Sequence, residues 1–165
     1  MSHSTHAVLV FQGEVPASAG LALAAMTDTS LGLTTATSTS PMGFALVHLR
    51  IPTSNFFQPE LERMTADLTR AWLRAGAEHG ALVGFVTRFE EVVEPDYLER
   101  SLFLALVAQD WNDVVDAGWE WFIVGAPLFG KVPIDPDWIT ASTTEHGVFF
   151  QREDTLHPWA QGGAA

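Results

Sequence analysis

The clearest pattern along this chain is a helical one. In PELERMTADLTRAWLRAGAEHG, Leu61, Met64, Leu68, Ala71, Trp72 and Ala75 recur at helical spacing. Glu62, Arg63, Arg70 and Arg74 lie off that stripe. Pro59 suits a first helical position and Gly80 the residue just past the end. Such a helix is about 30 Å long, enough to cover one face of a small sheet. Strand patterns flank it. His6–Glu14 (HAVLVFQGE), Phe44–Ile51 (FALVHLRI) and Ala81–Phe89 (ALVGFVTRF) are short runs rich in β-branched and aromatic residues. Pro16 opens an Ala/Leu segment that predicts a short helix to Met26. Asp28–Ser40 is rich in Thr and Ser; the Leu31–Leu33 alternation favours a strand, with a flexible loop as the alternative.

The second half is patterned less sharply. SLFLALVA is apolar all round. At about 100° per residue, Phe103, Leu104, Val107, Trp111, Val114 and Val115 share a face, with Asp110, Asp113 and Asp116 opposite. A helix ending at Gly118 is the expectation. Trp119–Val124 (WEWFIV) reads as a strand, Ile139–Thr144 as a short one and Gly147–Gln151 as the last. Helix, turn and strand in this sequence predict a single α+β domain over residues 1–165. Its sheet is mainly antiparallel, with two principal helices packed on it and a tail that frays near residues 160–165.

Composition narrows the classes. The chain has 165 residues, 47% hydrophobic and 17% charged, which is a globular balance. It has no cysteine, so disulfide and thiolate chemistry are excluded. No basic start precedes the first apolar run, and PASAGLALAAM is too short to cross a bilayer; a soluble, cytoplasmic protein is expected.

Charge changes the picture more. Twenty acids face eight bases, a net of −12. Nucleic acid and anionic membrane surfaces need clustered Lys and Arg, so neither is an expected partner. From Met1 to Phe89 six acids meet five bases, a net of −1; from Glu90 to Asp137 eleven acids meet two bases, a net of −9. The negative charge is therefore a local feature, and a basic protein is the partner it suits.

Motifs for chemistry are few. Asp110, Asn112 and Asp113 resemble the opening of a calcium loop, but Val115 stands where glycine is needed and Trp121 where the closing acid belongs. The six histidines show no zinc spacing. No nucleophile elbow, phosphate loop or dinucleotide fingerprint occurs. No metal, no cofactor and no catalytic residue is assigned. The aromatic residues are the remaining signal. Trp72 belongs to the helix stripe and the core. Trp119 and Trp121 share one strand face, with Glu120 on the other. The core reading of that face ranks above an exposed one. Trp138 and Trp159, beside turns and prolines, are the candidates for exposure.

The order ALVGFVTRF, GWEWFIVG, APLFGKVP and EHGVFFQRED, over about Ala81 to Pro158, resembles bacterial immunity proteins of the type VI secretion and polymorphic-toxin class. The resemblance implies inhibition of a toxin by binding, without catalysis, through an acidic surface. The partner face would then hold Asp110, Asp113, Asp116 and Glu120, flanked by Glu90, Glu91 and Glu94, with Trp138 and Trp159 as anchors. The alternative is a small-molecule domain or an enzyme with a pocket of Trp119, Trp121, Phe122 and Phe150. A third reading has the Trp-rich strand pair with its own copy as a homo-oligomer.

Overall fold

The computed structural model describes residues 4–27, 29–88, 93–110, 121–131 and 138–152. Strands β1 (Ser4–Gln12), β2 (Thr34–Thr39), β3 (Phe44–Pro52), β4 (Val83–Thr87), β5 (Trp121–Gly125), β6 (Trp138–Thr143) and β7 (Gly147–Arg152) form one sheet. Its order is β2-β3-β1-β4-β5-β7-β6, with every neighbouring pair antiparallel. Helices α1 (Ala17–Ala25) and α2 (Pro59–Glu78) precede β2 and β4. A third helical segment joins α3 (Pro95–Leu98), a π-helical turn (Glu99–Phe103) and α4 (Leu104–Ala108). The chain is α+β, as its pattern predicts.

The first six elements run β1-α1-β2-β3-α2-β4 in sheet order 2-3-1-4. That is two interleaved βαβ units, the ferredoxin-like plan, and it does not by itself specify a function. Thr5 to Phe11 of β1 are all buried because both faces of the central strand are covered. Ala7, Leu9 and Phe11 meet α1 and α2 through Ala19, Leu23, Trp72 and Leu73. Val8 and Val10, with Phe85 and Phe122, meet the third helical segment through Leu98, Leu102, Phe103 and Leu106. Phe103 stacks on Phe44, ring centres 5.2 Å apart.

Helix α2 ends as predicted. Gly80 takes a positive φ of 96°, and the Gly80 and Ala81 amides bond back to Ala77 and Gly76. This Schellman turn satisfies the last carbonyls. Its buried face differs from the predicted stripe. Thr65, Ala66, Thr69, Arg70, Trp72, Leu73, Gly76 and Ala77 are buried, whereas Met64 is exposed and Leu61, Leu68, Ala71 and Ala75 are half-buried. The reason is closeness. A Cβ on Gly76 would collide with the Leu9 side chain, so the turn at Gly76 and Ala77 joins Trp72 and Leu73 on the buried face. Arg70, expected off the stripe, is only 9% exposed. Its guanidinium lies 4.7 Å from the Trp121 ring centre and 3.0 Å from Asp67 Oδ1. Burial pushes its pKa down, Asp67 pushes it back up, and Arg74 and Arg63 lower it further.

The third helical segment is also turned relative to expectation. Leu102, Phe103, Ala105 and Leu106 face the sheet, and Leu104 and Val107 face outward. It ends at Ala108, ten residues before Gly118, because Gln109 adopts φ 56°. The Gln109 and Asp110 amides bond to Leu106 and Ala105, a second Schellman turn, here closed by a residue other than glycine.

Candidate functional site

The outward side of the third helical segment holds the most distinctive exposed surface among the described residues. Asp96, Arg100, Leu104 and Val107 follow one another at spacings of four, four and three, so they form one stripe. Leu104 is 49% exposed and Val107 57%. Glu94 precedes the stripe, Glu99 borders it and Asp110 follows it, all exposed. At about 1.5 Å per residue the stripe is roughly 16 Å long. Arg100 is its one cation, and its Nε donates to the Asp96 carbonyl at 3.3 Å. The π-turn beneath it is a form that occurs often at functional positions. Exposed apolar side chains rimmed by carboxylates offer contact area together with a field that favours cations.

Two predicted face residues, Glu94 and Asp110, thus frame this stripe. Asp110 follows the helix instead of lying on it, because the helix stops at Ala108. Asp113, Asp116, Glu120, Glu90, Glu91, Trp119 and Trp159 lie outside the described residues. Trp138 opens β6. Sequence reasoning does not single out Asp96 and Glu99, and it puts Leu104 and Val107 on the packed face with Phe103, whereas they point outward. The available signal was the all-round apolar block SLFLALVA between acids: a helix lying on one sheet face must expose some of such a block.

Trp121 and Phe122 are both fully buried, on opposite faces of β5 and in different cores. Side chains alternate along a strand, so no one pocket is lined by both. Phe150 lies in β7, in register with Phe122. Two grooves lie elsewhere, beside β2. β5 is paired on both sides, to β4 and β7, so the Trp-rich strand has no free edge for pairing with its own copy.

One polar pair interrupts the face that carries the third helix. His6 Nδ1 and His48 Nε2 are 2.7 Å apart, joining β1 to β3. One nitrogen must donate and the other accept, so the accepting ring must be neutral. Burial is the main cause that lowers the His6 pKa to about 4, with Arg50 adding to it. Burial likewise lowers His48 to about 4, followed by His6 and then Arg50. Arg50 is opposite His6 in register. The pair acts as a cross-strand tie. It was invisible in the sequence because only the β1–β3 register brings residues so distant in the chain together. His79, at the end of α2 as expected, bonds Ser18 of α1 at 3.2 Å. Among the described residues no three His, Asp or Glu side chains converge to hold a metal ion. No helix among them is long and apolar enough to cross a membrane.

No protein-family model, no curated protein and no solved structure matches this chain. Function therefore has to be argued from the residues of the site.

Proposed function

We propose that this protein binds a basic protein partner without catalysis, as an immunity or inhibitor protein does when it occludes a toxin. The observation that carries the reading is the stripe on the third helical segment. Leu104 and Val107 are exposed at its centre and Glu94, Asp96, Glu99 and Asp110 surround them. Exposed apolar side chains supply contact area, and surrounding acids steer a cation-rich partner and reject an anionic one. The segment Glu90–Asp137, with its net charge of −9, supplies the long-range part of that attraction. Asp113, Asp116, Glu120, Glu90 and Glu91 belong to the proposed face on charge, and Trp138 and Trp159 remain its proposed anchors. The cysteine-free composition suits a cytoplasmic setting.

The test is capture from the source cell's extract, including secreted effectors, on immobilised wild type and on Leu104→Asp/Val107→Asp. Wild type should retain a basic protein that high salt releases, and the variant should not, with thermal unfolding of the two alike. Equal retention by both, or none by wild type, would contradict the reading.

A further inference from the structure

A different surface points to a second kind of contact. β2 stands at one end of the strand order and, among the described residues, pairs only with β3, so its outer row of backbone N–H and C=O groups faces away from the sheet. All six of its side chains are exposed. Its register with β3 runs unbroken through six pairs. The other edge strand, β6, has a register shift between Thr140 and Ser142. Exposed edges are ordinarily blunted by charge, proline, a bulge or a covering element. Thr34–Thr39 (TTATST) has no charge and no proline, and its ladder has no bulge. Among the described residues no element covers it: a groove of about 320 Å³ lies between Gly20, Leu23 and Ala24 of α1 and Thr35 and Thr37 of β2. Leu21, next to Gly20, is 75% exposed.

We infer that β2 pairs antiparallel with β2 of a second copy of this chain, giving one continuous sheet across a two-fold axis. Charge selects this occupant. No charged residue occurs from Thr29 to Leu49, although the chain carries −12 overall. Two such chains repel wherever their acids meet, and this is the longest stretch of chain on which they meet none. A basic partner gains no electrostatic advantage at an uncharged strand, so the strand does not suit the partner proposed for the acidic stripe. Self-pairing is also chemically matched. A two-fold perpendicular to the sheet keeps each face on its own side, so Thr35, Thr37 and Thr39 meet one another, as do Thr34, Ala36 and Ser38. Cross-strand Thr–Thr and Thr–Ser pairs are favourable. The contact uses an edge strand, unlike the doubly paired β5, and none of the stripe's residues, so it stands whether or not that stripe binds a partner.

The test is the mass in solution, by sedimentation from low to high micromolar concentration. Wild type should pass from one chain to two. Thr35→Lys/Thr37→Lys and Thr35→Glu/Thr37→Glu should each weaken self-association by at least roughly tenfold while keeping wild-type circular dichroism. An equimolar mixture of the two should restore the two-chain species, because lysines then face glutamates. Amide exchange gives a readout that needs no variant: β2 amides should be slower to exchange at high than at low concentration. A wild type that keeps one chain's mass throughout overturns the proposal. So does a dimer that neither charged pair weakens, or β2 exchange that ignores concentration.

Discussion

The two halves of this molecule divide construction from charge. Residues 4–88 close a four-stranded unit with two helices on one face, and the whole stretch to Phe89 is nearly balanced at −1. The later residues add one broken helix on the other face and three more strands, and they carry most of the negative charge. A sheet's core tolerates few unpaired charges, so the half that builds the central strands keeps its acids few, and Glu60, Glu62, Asp67 and Glu78 lie on α2. The half appended at its side can concentrate carboxylates, because its helix needs only one face for packing. Its other face, with Leu104 and Val107 outward, is free for a partner.

The comparison can be broken most severely where the halves join. Trp121 of β5 packs against α2 and lies under Arg70. Trp121→Ala should cost about 3–5 kcal/mol, read by denaturant unfolding, and should disrupt the order of both halves together. A loss confined to the second half would show that the first folds on its own. Next comes the third helical segment, whose two sides should behave unlike one another. Leu106→Ala should cost about 2–4 kcal/mol and Leu104→Ala no more than about 0.5 kcal/mol. Equal costs would mean that Leu104 is not an outward residue.

Acid probes the first half through its histidine tie. Unfolded histidine titrates near its ordinary value of 6.5, while both folded rings titrate near 4. Between those values the unfolded chain binds more protons, so stability is full above about pH 6.5 and falls as pH drops toward 4. One ring displaced that far accounts for a loss on the order of 3 kcal/mol. His6→Val/His48→Val should flatten that limb in a pH series of thermal midpoints. The smallest effect belongs to Gln109. A left-handed conformation costs a residue with a Cβ, so Gln109→Gly should raise stability by about 0.5–1 kcal/mol without changing binding.

Much of the first half is legible in the sequence for a physical reason. Its elements are bounded by Pro16, Pro41, Pro52, Pro59 and Gly80, and β1, β3 and β4 are distinct apolar runs; β2, a run of Thr and Ser, reads in the sequence as strand or loop. The rotation of α2 was hidden because hydrophobic periodicity weighs large side chains, while the close approach at Gly76 demands small ones. The third helical segment was misjudged in length. A glutamine at a left-handed position gives no sequence signal, so Trp111, Val114 and Val115 were counted toward a helix that ends at Ala108. With those three removed, SLFLALVA has no preferred side. The candidate site was legible as a region of charge; the exposure of Leu104 and Val107 emerged only with the packing.

One matched pair of variants tests the central division most directly. Glu94→Gln/Glu99→Gln/Asp110→Asn neutralises three acids of the stripe, and Glu60→Gln/Glu62→Gln/Glu78→Gln removes the same charge from α2. Partner retention should be lost in the first and kept in the second, with both still folded. Equal loss from both would mean that overall charge, and not this face, does the binding.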